Sequence, residues 1–343
     1  MISFFLIPLY TNALTTTEYG VVDLIATVGT VAAPVLTLNI CESVMRFALD
    51  KDANKDKITQ IGTNLLLIGM VVGLVIFPIC HSFNRISQYS VFVYFYVISL
   101  AASQLYLCDL RGKELLVYYS IGNVLHTFFI AALNILFLVV FKGGIEGYLN
   151  AYIIANILTA TYALIMGKGY RSFSFSGVDK KLLQRMIRYS IVLIPNSFMW
   201  WIMNSSDRVM VSSMVGIAAN GIYAVSYKLP TLVSTLTTIF NQAWSYSAIR
   251  EEGTEDENEY NNKIFRTLIG IVMLIGIGLI TFMKPFLSIY VAKEYYVAWK
   301  YTPFLTVGCV YLTLATFMAT SYTVHKDSFG YLFPVCLARY LIS

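Results

Sequence analysis

Five polar or charged residues sit inside one long apolar run: between Ile194 and Trp244 the chain carries Asn204, Asp207, Arg208, Lys228 and Asn241. A full charge at the centre of a lone membrane helix costs about 2.5–3.5 kcal/mol on insertion scales, so such residues persist where they face a partner or a water-filled cavity. Asp207 and Arg208 are adjacent, so on a helix they diverge by about 100° and cannot pair tidily with each other. They must find partners on other helices or in water; the competing reading makes them anchors at the outer membrane interface. Lys228 lies about two turns into the next apolar run, and Pro230 follows it. A proline removes a backbone donor and frees a carbonyl, which exposes polar backbone to a cavity. The competing reading has Lys228 snorkelling to the interface, against the apolar residues on both sides of it. Arg and Lys in a poorly hydrated cavity bind anions, and Arg in particular clamps phosphate oxygens. The stretch is therefore read as a helical hairpin lining a polar cavity, with the rest of the chain as its walls.

Other candidates are weaker. Glu42 and Arg46 are four apart and share a helix face; they are either a cationic cavity lining or a self-satisfied interfacial pair. Asp109 and Arg111 begin a tight polar turn, where a snorkelling loop charge is the plain alternative to an anion contact. Gly69 and Gly73 form a GxxxG, which reads as close helix packing. Tyr223, Tyr227, Trp200 and Trp201 are either part of an interfacial belt or platforms for stacking on sugar rings. His81, His126 and His325 have no metal spacing. The five cysteines are odd in number and lack a CxxC, so neither a disulfide framework nor a zinc site is implied. No GxSxG, HExxH, phosphate-binding loop or paired-carboxylate arrangement occurs, and no extramembrane loop is large enough for a catalytic domain. The chain does not read as an enzyme.

The elements that must position these residues are membrane spans. The chain is 57% hydrophobic and only 13% charged over 343 residues, with a mean hydropathy of +0.68. A soluble chain averages about 25% charged residues. This is a polytopic membrane protein, and its net charge of +5 sits in short loops, which argues against nucleic acid as a partner. No basic leader precedes Met1–Leu14, a run too short to span. Thr15–Gly20 reads as a turn. Spans are expected at Val21–Ile40, Thr59–Ser82, Tyr89–Leu107, Val117–Phe141, Tyr148–Met166, Ile191–Val215, Gly221–Ala248, Ile264–Val291 and Thr302–Val324. Tyr331–Ile342 stops short of a crossing.

In the long basic linker Lys168–Arg188, Val178, Leu182, Leu183, Met186 and Ile187 take one face and Lys180, Lys181, Arg185 and Arg188 the other. It is either an interfacial amphipathic helix or the solvated start of the next span. One alternate set of loops holds Arg46, Lys51, Lys55, Lys57, Arg111, Lys113, the linker, Arg250, Lys263, Arg266 and Lys326. The opposite set holds Arg85, Lys142, Lys284, Lys293 and Lys300. That asymmetry marks the first set as cytoplasmic. LTTTEYGVVDL (14–24) also resembles VGIAANGIYAV (215–225), with Gly20 matching Gly221, so the two copies would open two six-helix halves. Parallel repeats of this kind place a transport site between the halves.

Several stretches resemble bacterial polysaccharide flippases: FFLIPLYTNALTTTEYGVVDL at the start, ESVMRF (42–47), LRGKELLVYYSIGNV (110–124), GIEGYLNAYIIANI (144–157) and, most specifically, NSSDRVMVSSMVGIAANGIYAVSYKLP (204–230). The family is the Wzx-like oligosaccharide-lipid branch of the multidrug/oligosaccharidyl-lipid/polysaccharide exporter superfamily. The resemblance implies an all-α, MATE-like fold with two six-helix lobes around a central cavity. The lobes would be 1–167 and 191–343, with 168–190 as a basic cytoplasmic linker. It implies flipping of undecaprenyl-pyrophosphate-linked oligosaccharide from inner to outer leaflet by alternating access, in a bacterial cell membrane. On it, Arg46, Arg111, Arg208 and Lys228 meet the pyrophosphate. Glu42, Asn204, Asp207 and Asn241 supply cavity polarity or coupling, with H+ or Na+ as the coupling ion and no other cofactor. Membrane lipid and other polysaccharide assembly proteins are the further partners. Against the family pattern, the first helix is half-length, the closing spans are absent, and SFGYLFPVCLARYLIS (328–343) departs from the expected next helix, as a truncated product would. The alternatives are a multidrug or cation antiporter of the same superfamily, a membrane polysaccharide polymerase or ligase, or an inactive truncated product. An antiporter would favour acidic residues in the cavity; a polymerase or ligase would need a large outer loop.

Overall fold

The computed structural model of the chain describes residues 2–50, 53–81, 87–173, 177–251 and 257–324. Lys51, Arg85, residues 252–256 of the acidic loop, His325, Lys326 and the closing run Tyr331–Ile342 lie outside the described residues. The described residues form twelve α-helices and no strand. In order these are α1 (Ile2–Phe5), α2 (Ile7–Ala13), α3 (Thr16–Leu36), α4 (Ile40–Ala48), α5 (Lys55–His81), α6 (Ser90–Gly112), α7 (Leu116–Asn134), α8 (Gly144–Met166), α9 (Lys180–Met214), α10 (Ile217–Glu251), α11 (Glu257–Tyr290) and α12 (Thr302–Val324).

Among the described residues, six stretches are long and apolar enough to cross a membrane: α3, Lys55–Val75 of α5, α6, α7 with its π-helical continuation to Val140, α8, and Lys263–Tyr290 of α11. Their outward faces are apolar. Val124 is 68% exposed on α7 and Leu274 75% on α11, which suits lipid and would be a liability in water. The chain is a multi-pass membrane protein. α9 and α10 are 35 residues each but fall outside that set among the described residues. The same polar residues that draw attention to them in the sequence dilute their hydropathy.

Two local features differ from the sequence reading. Thr15 is not the start of a turn but the N-cap of α3. Its hydroxyl accepts from the Glu18 N–H at 3.3 Å, while the Glu18 carboxylate accepts from the Thr15 N–H at 2.8 Å. This is a reciprocal capping box. The expected span Val21–Ile40 is interrupted: Leu38 and Asn39 adopt φ of 52° and 53°, and α4 starts in a new direction after them. Asparagine tolerates the left-handed region, whereas leucine rarely does.

The chain packs as two compact units. One, Ala13–Asn220, holds α3 to α9. α6 packs on α8, α4, α3 and α5, and α9 lies on α3 and α4. The GxxxG does what its spacing suggests, since a Cβ on Gly69 would lie 2.5 Å from the Leu36 carbonyl oxygen. Cys41 on α4 and Cys108 on α6 are joined as a disulfide with Cα atoms 5.9 Å apart, which corrects the expectation of none. Sequence spacing carries no record of which cysteines meet. The other unit, Met1–Asn12 with Gly221–Ser343, is built on α10, α11 and α12 around Val233, Trp244, Leu268, Val272, Val310 and Phe317. Phe4 stacks on Tyr290 there, ring centroids 4.8 Å apart, and the Ala292 N–H donates to Thr11 Oγ1 at 3.3 Å.

Candidate functional site

α9 runs antiparallel to α3 and α4 and is pinned by polar contacts along its length. Ser43 Oγ donates to the Met186 carbonyl at 3.1 Å, Asn39 Nδ2 to Ser197 Oγ at 3.3 Å, and Trp201 Nε1 to the Thr27 carbonyl at 2.8 Å. This register brings Arg208 opposite α3, where its Nη1 donates to Asp23 Oδ1 at 2.9 Å. The two side chains are 17% and 7% exposed. A guanidinium beside a carboxylate forms a strong charge-assisted bond. Asp207 Oδ1 accepts the Arg208 backbone N–H at 2.9 Å. Arg208 therefore finds its partner on another helix, as the 100° divergence requires.

The remaining candidates are scattered over both units. Arg46 is exposed on α4, and its Nη1 donates to Asp50 Oδ1 at 2.8 Å, one turn on. That bond, with the attraction of the Asp50 charge, raises the Arg46 pKa further above its ordinary value. Arg46 thus pairs forward with Asp50, not back with Glu42, which is exposed. Arg111 is exposed in the last turn of α6. Asn204 is exposed and donates to the Trp200 carbonyl at 2.7 Å. Lys228 and Asn241 belong to the other unit, on α10. Lys228 is half-buried. Asn241 is buried, its Oδ1 lacking a hydrogen-bond partner among the described residues. The described residues contain no cluster of three or more metal-ligating side chains.

Sequence reasoning missed two buried groups. Asp23 lies inside the repeat segment 14–24, and an acid in an apolar span is itself a signal. Asp109 is not a loop charge. It is buried in α6, accepting from Lys113 Nζ at 2.7 Å and Thr59 Oγ1 at 2.6 Å, while Lys113 also donates to the Gly167 carbonyl at 2.9 Å. The cluster ties α5, α6 and the end of α8 together. The i,i+4 spacing of Asp109 and Lys113 was there to be read.

The model of the polysaccharide biosynthesis protein family matches residues 1–246. The chain belongs to that family. No curated protein matches it. Among solved structures, it is similar to an inward-facing multidrug resistance MATE family transporter of the MOP superfamily. The two share 14% identity and a TM-score of 0.64 over 94% of this chain and 79% of that one. It is also similar to a MATE protein in complex with MaD3S, at 15% identity and a TM-score of 0.55 over 93% and 77% of the two chains. At such identities the likeness is one of fold, and the fold of this polysaccharide biosynthesis family member is MATE-like.

Proposed function

We propose that this chain is a flippase for undecaprenyl-pyrophosphate-linked oligosaccharide, working by alternating access between two lobes, 1–167 and 191–343. The observation that carries the reading is the shielded pair between Arg208 of α9 and Asp23 of α3, in a polysaccharide biosynthesis protein. A pyrophosphate offers the guanidinium the same kind of oxygen ligand that Asp23 supplies. Lys228, Arg46 and Arg111 would add positive potential along the route, and Glu42, Asn204, Asp207 and Asn241 polarity. H+ or Na+ would drive the cycle. The basic loops would be cytoplasmic, and the membrane a bacterial cell membrane.

A second reading, export of organic cations, is favoured by the buried carboxylate of Asp23 and by the multidrug transporter among the structural neighbours. Charge sign separates the two. Arg208→Ala should abolish surface polysaccharide in a flippase-null strain, scored per unit of membrane-inserted protein because the unpaired Asp23 lowers abundance. Lys228→Arg should keep part of the activity, and Lys228→Glu should remove it, because screening is weak in such a site. The same cells are scored for resistance to cationic dyes. Dye resistance that depends on Asp23 or Asp207, with normal polysaccharide in all three variants, would replace the flippase by the exporter.

A further inference from the structure

The first turns of α9 carry a head-and-tail pattern that the transport reading does not use. Phe47 of α4 and Arg185, Arg188, Tyr189, Val192 and Leu193 of α9 line a cleft of about 360 Å³. The Arg185 guanidinium lies 5.4 Å from the centroid of the Phe47 ring, and Tyr189 meets that ring edge-on at 5.9 Å. Arg188 and Val192 also border a second cleft, of about 600 Å³, together with Lys180 and Ile191. No carboxylate stands among the described residues of either cleft. The N–H groups of Lys181 and Leu182 are already held by the Asp179 cap, so the positive end is made by side chains.

The two chemistries are sorted along the helix. The cations end at Arg188, and no charged residue follows until Asp207. Val192 is one turn, about 6 Å, beyond Arg188 and is 71% exposed. A ligand that fits has an anionic head for Arg185 and Arg188 and a hydrocarbon tail for Ile191, Val192 and Leu193. We infer that the α4–α9 corner is a binding site for an anionic glycerophospholipid of the surrounding leaflet, its phosphate between Arg185 and Arg188. The Phe47 ring backs the Arg185 guanidinium on one side, which leaves N–H donors for phosphate oxygens. A resident lipid there would anchor the start of α9 at the membrane surface.

Native mass spectrometry of the purified full chain tests this with chain-matched phosphatidylglycerol, phosphatidylcholine and a polyprenyl pyrophosphate. Phosphatidylglycerol should stay bound under activation that strips phosphatidylcholine. The Arg185→Gln/Arg188→Gln variant should lose about thirtyfold in phosphatidylglycerol affinity, from the usual contribution of two cations near a membrane surface. Arg171→Gln, on an exposed arginine away from the corner, should change nothing. If the double variant does not fold, the wild-type lipid preference and its weakening with added salt carry the test. Equal retention of the two phospholipids, unchanged binding by the folded double variant, or Arg-dependent retention of the polyprenyl pyrophosphate without phosphatidylglycerol would each overturn the assignment.

Discussion

Arg208 and Asp23 hold each other in a place where neither is stable alone. Removing one partner of a buried ion pair commonly costs about 3–5 kcal/mol, because a shielded charge is left unmatched. Asp23→Asn should therefore lower abundance and thermal stability of the protein. Adding Arg208→Gln leaves two neutral amides that can bond each other, so the double variant should regain abundance. It should not regain polysaccharide export. Recovery of both would reduce the pair to a structural tie. At this scale the sequence was legible in part. That Arg208 needed a partner on another helix followed from its adjacency to Asp207, but no spacing rule points across 185 residues to Asp23. Asp109 was legible as an acid at a helix end, but its burial depends on how α5 and α8 close over it.

Helices were the most readable level, because a run of about 20 apolar residues has few other uses. The misreadings fall where local chemistry competes with hydropathy. Thr15-x-x-Glu18 is a helix start hidden in a polar stretch, and the break at Leu38–Asn39 has no warning beyond Pro34 and an asparagine. The contact of α5 with this break supplies a test. A Cβ on Gly69 meets the backbone oxygen of Leu36, which cannot move aside, whereas one on Gly73 comes 3.1 Å from Cε2 of the Tyr94 side chain, which can turn. Gly69→Ala should lower the unfolding temperature clearly more than Gly73→Ala, each measured by a thermal shift in detergent. Equal effects would mean that α5 does not approach the Leu36 turn so closely.

For the molecule as a whole, the Lys/Arg asymmetry gives an orientation that can be checked directly. In a cysteine-free background, Val215→Cys, in the short link before α10, should react with an impermeant thiol reagent in intact cells. Glu257→Cys, at the start of α11, should react only after permeabilisation. Strong labelling at 257 in intact cells would invert the topology and remove the cytoplasmic placement of the linker. The linker itself was legible as amphipathic, and its second half, from Lys180, is continuous with α9.

That continuity makes α9 a lever. Its 35 residues extend about 52 Å, well beyond a hydrocarbon layer of about 30 Å. Arg208 and Arg188 sit on one rod about 30 Å apart. A tilt of about 10° at the Arg208 end displaces the Arg188 end by about 5 Å, close to one helical pitch. Pro195 lies between them and lacks the N–H that would bond the Ile191 carbonyl, so the rod has one built-in joint. An ion pair toward one end of the rod and a basic corner toward the other are thus mechanically geared, and that joint sets how much of one end's rotation the other end feels.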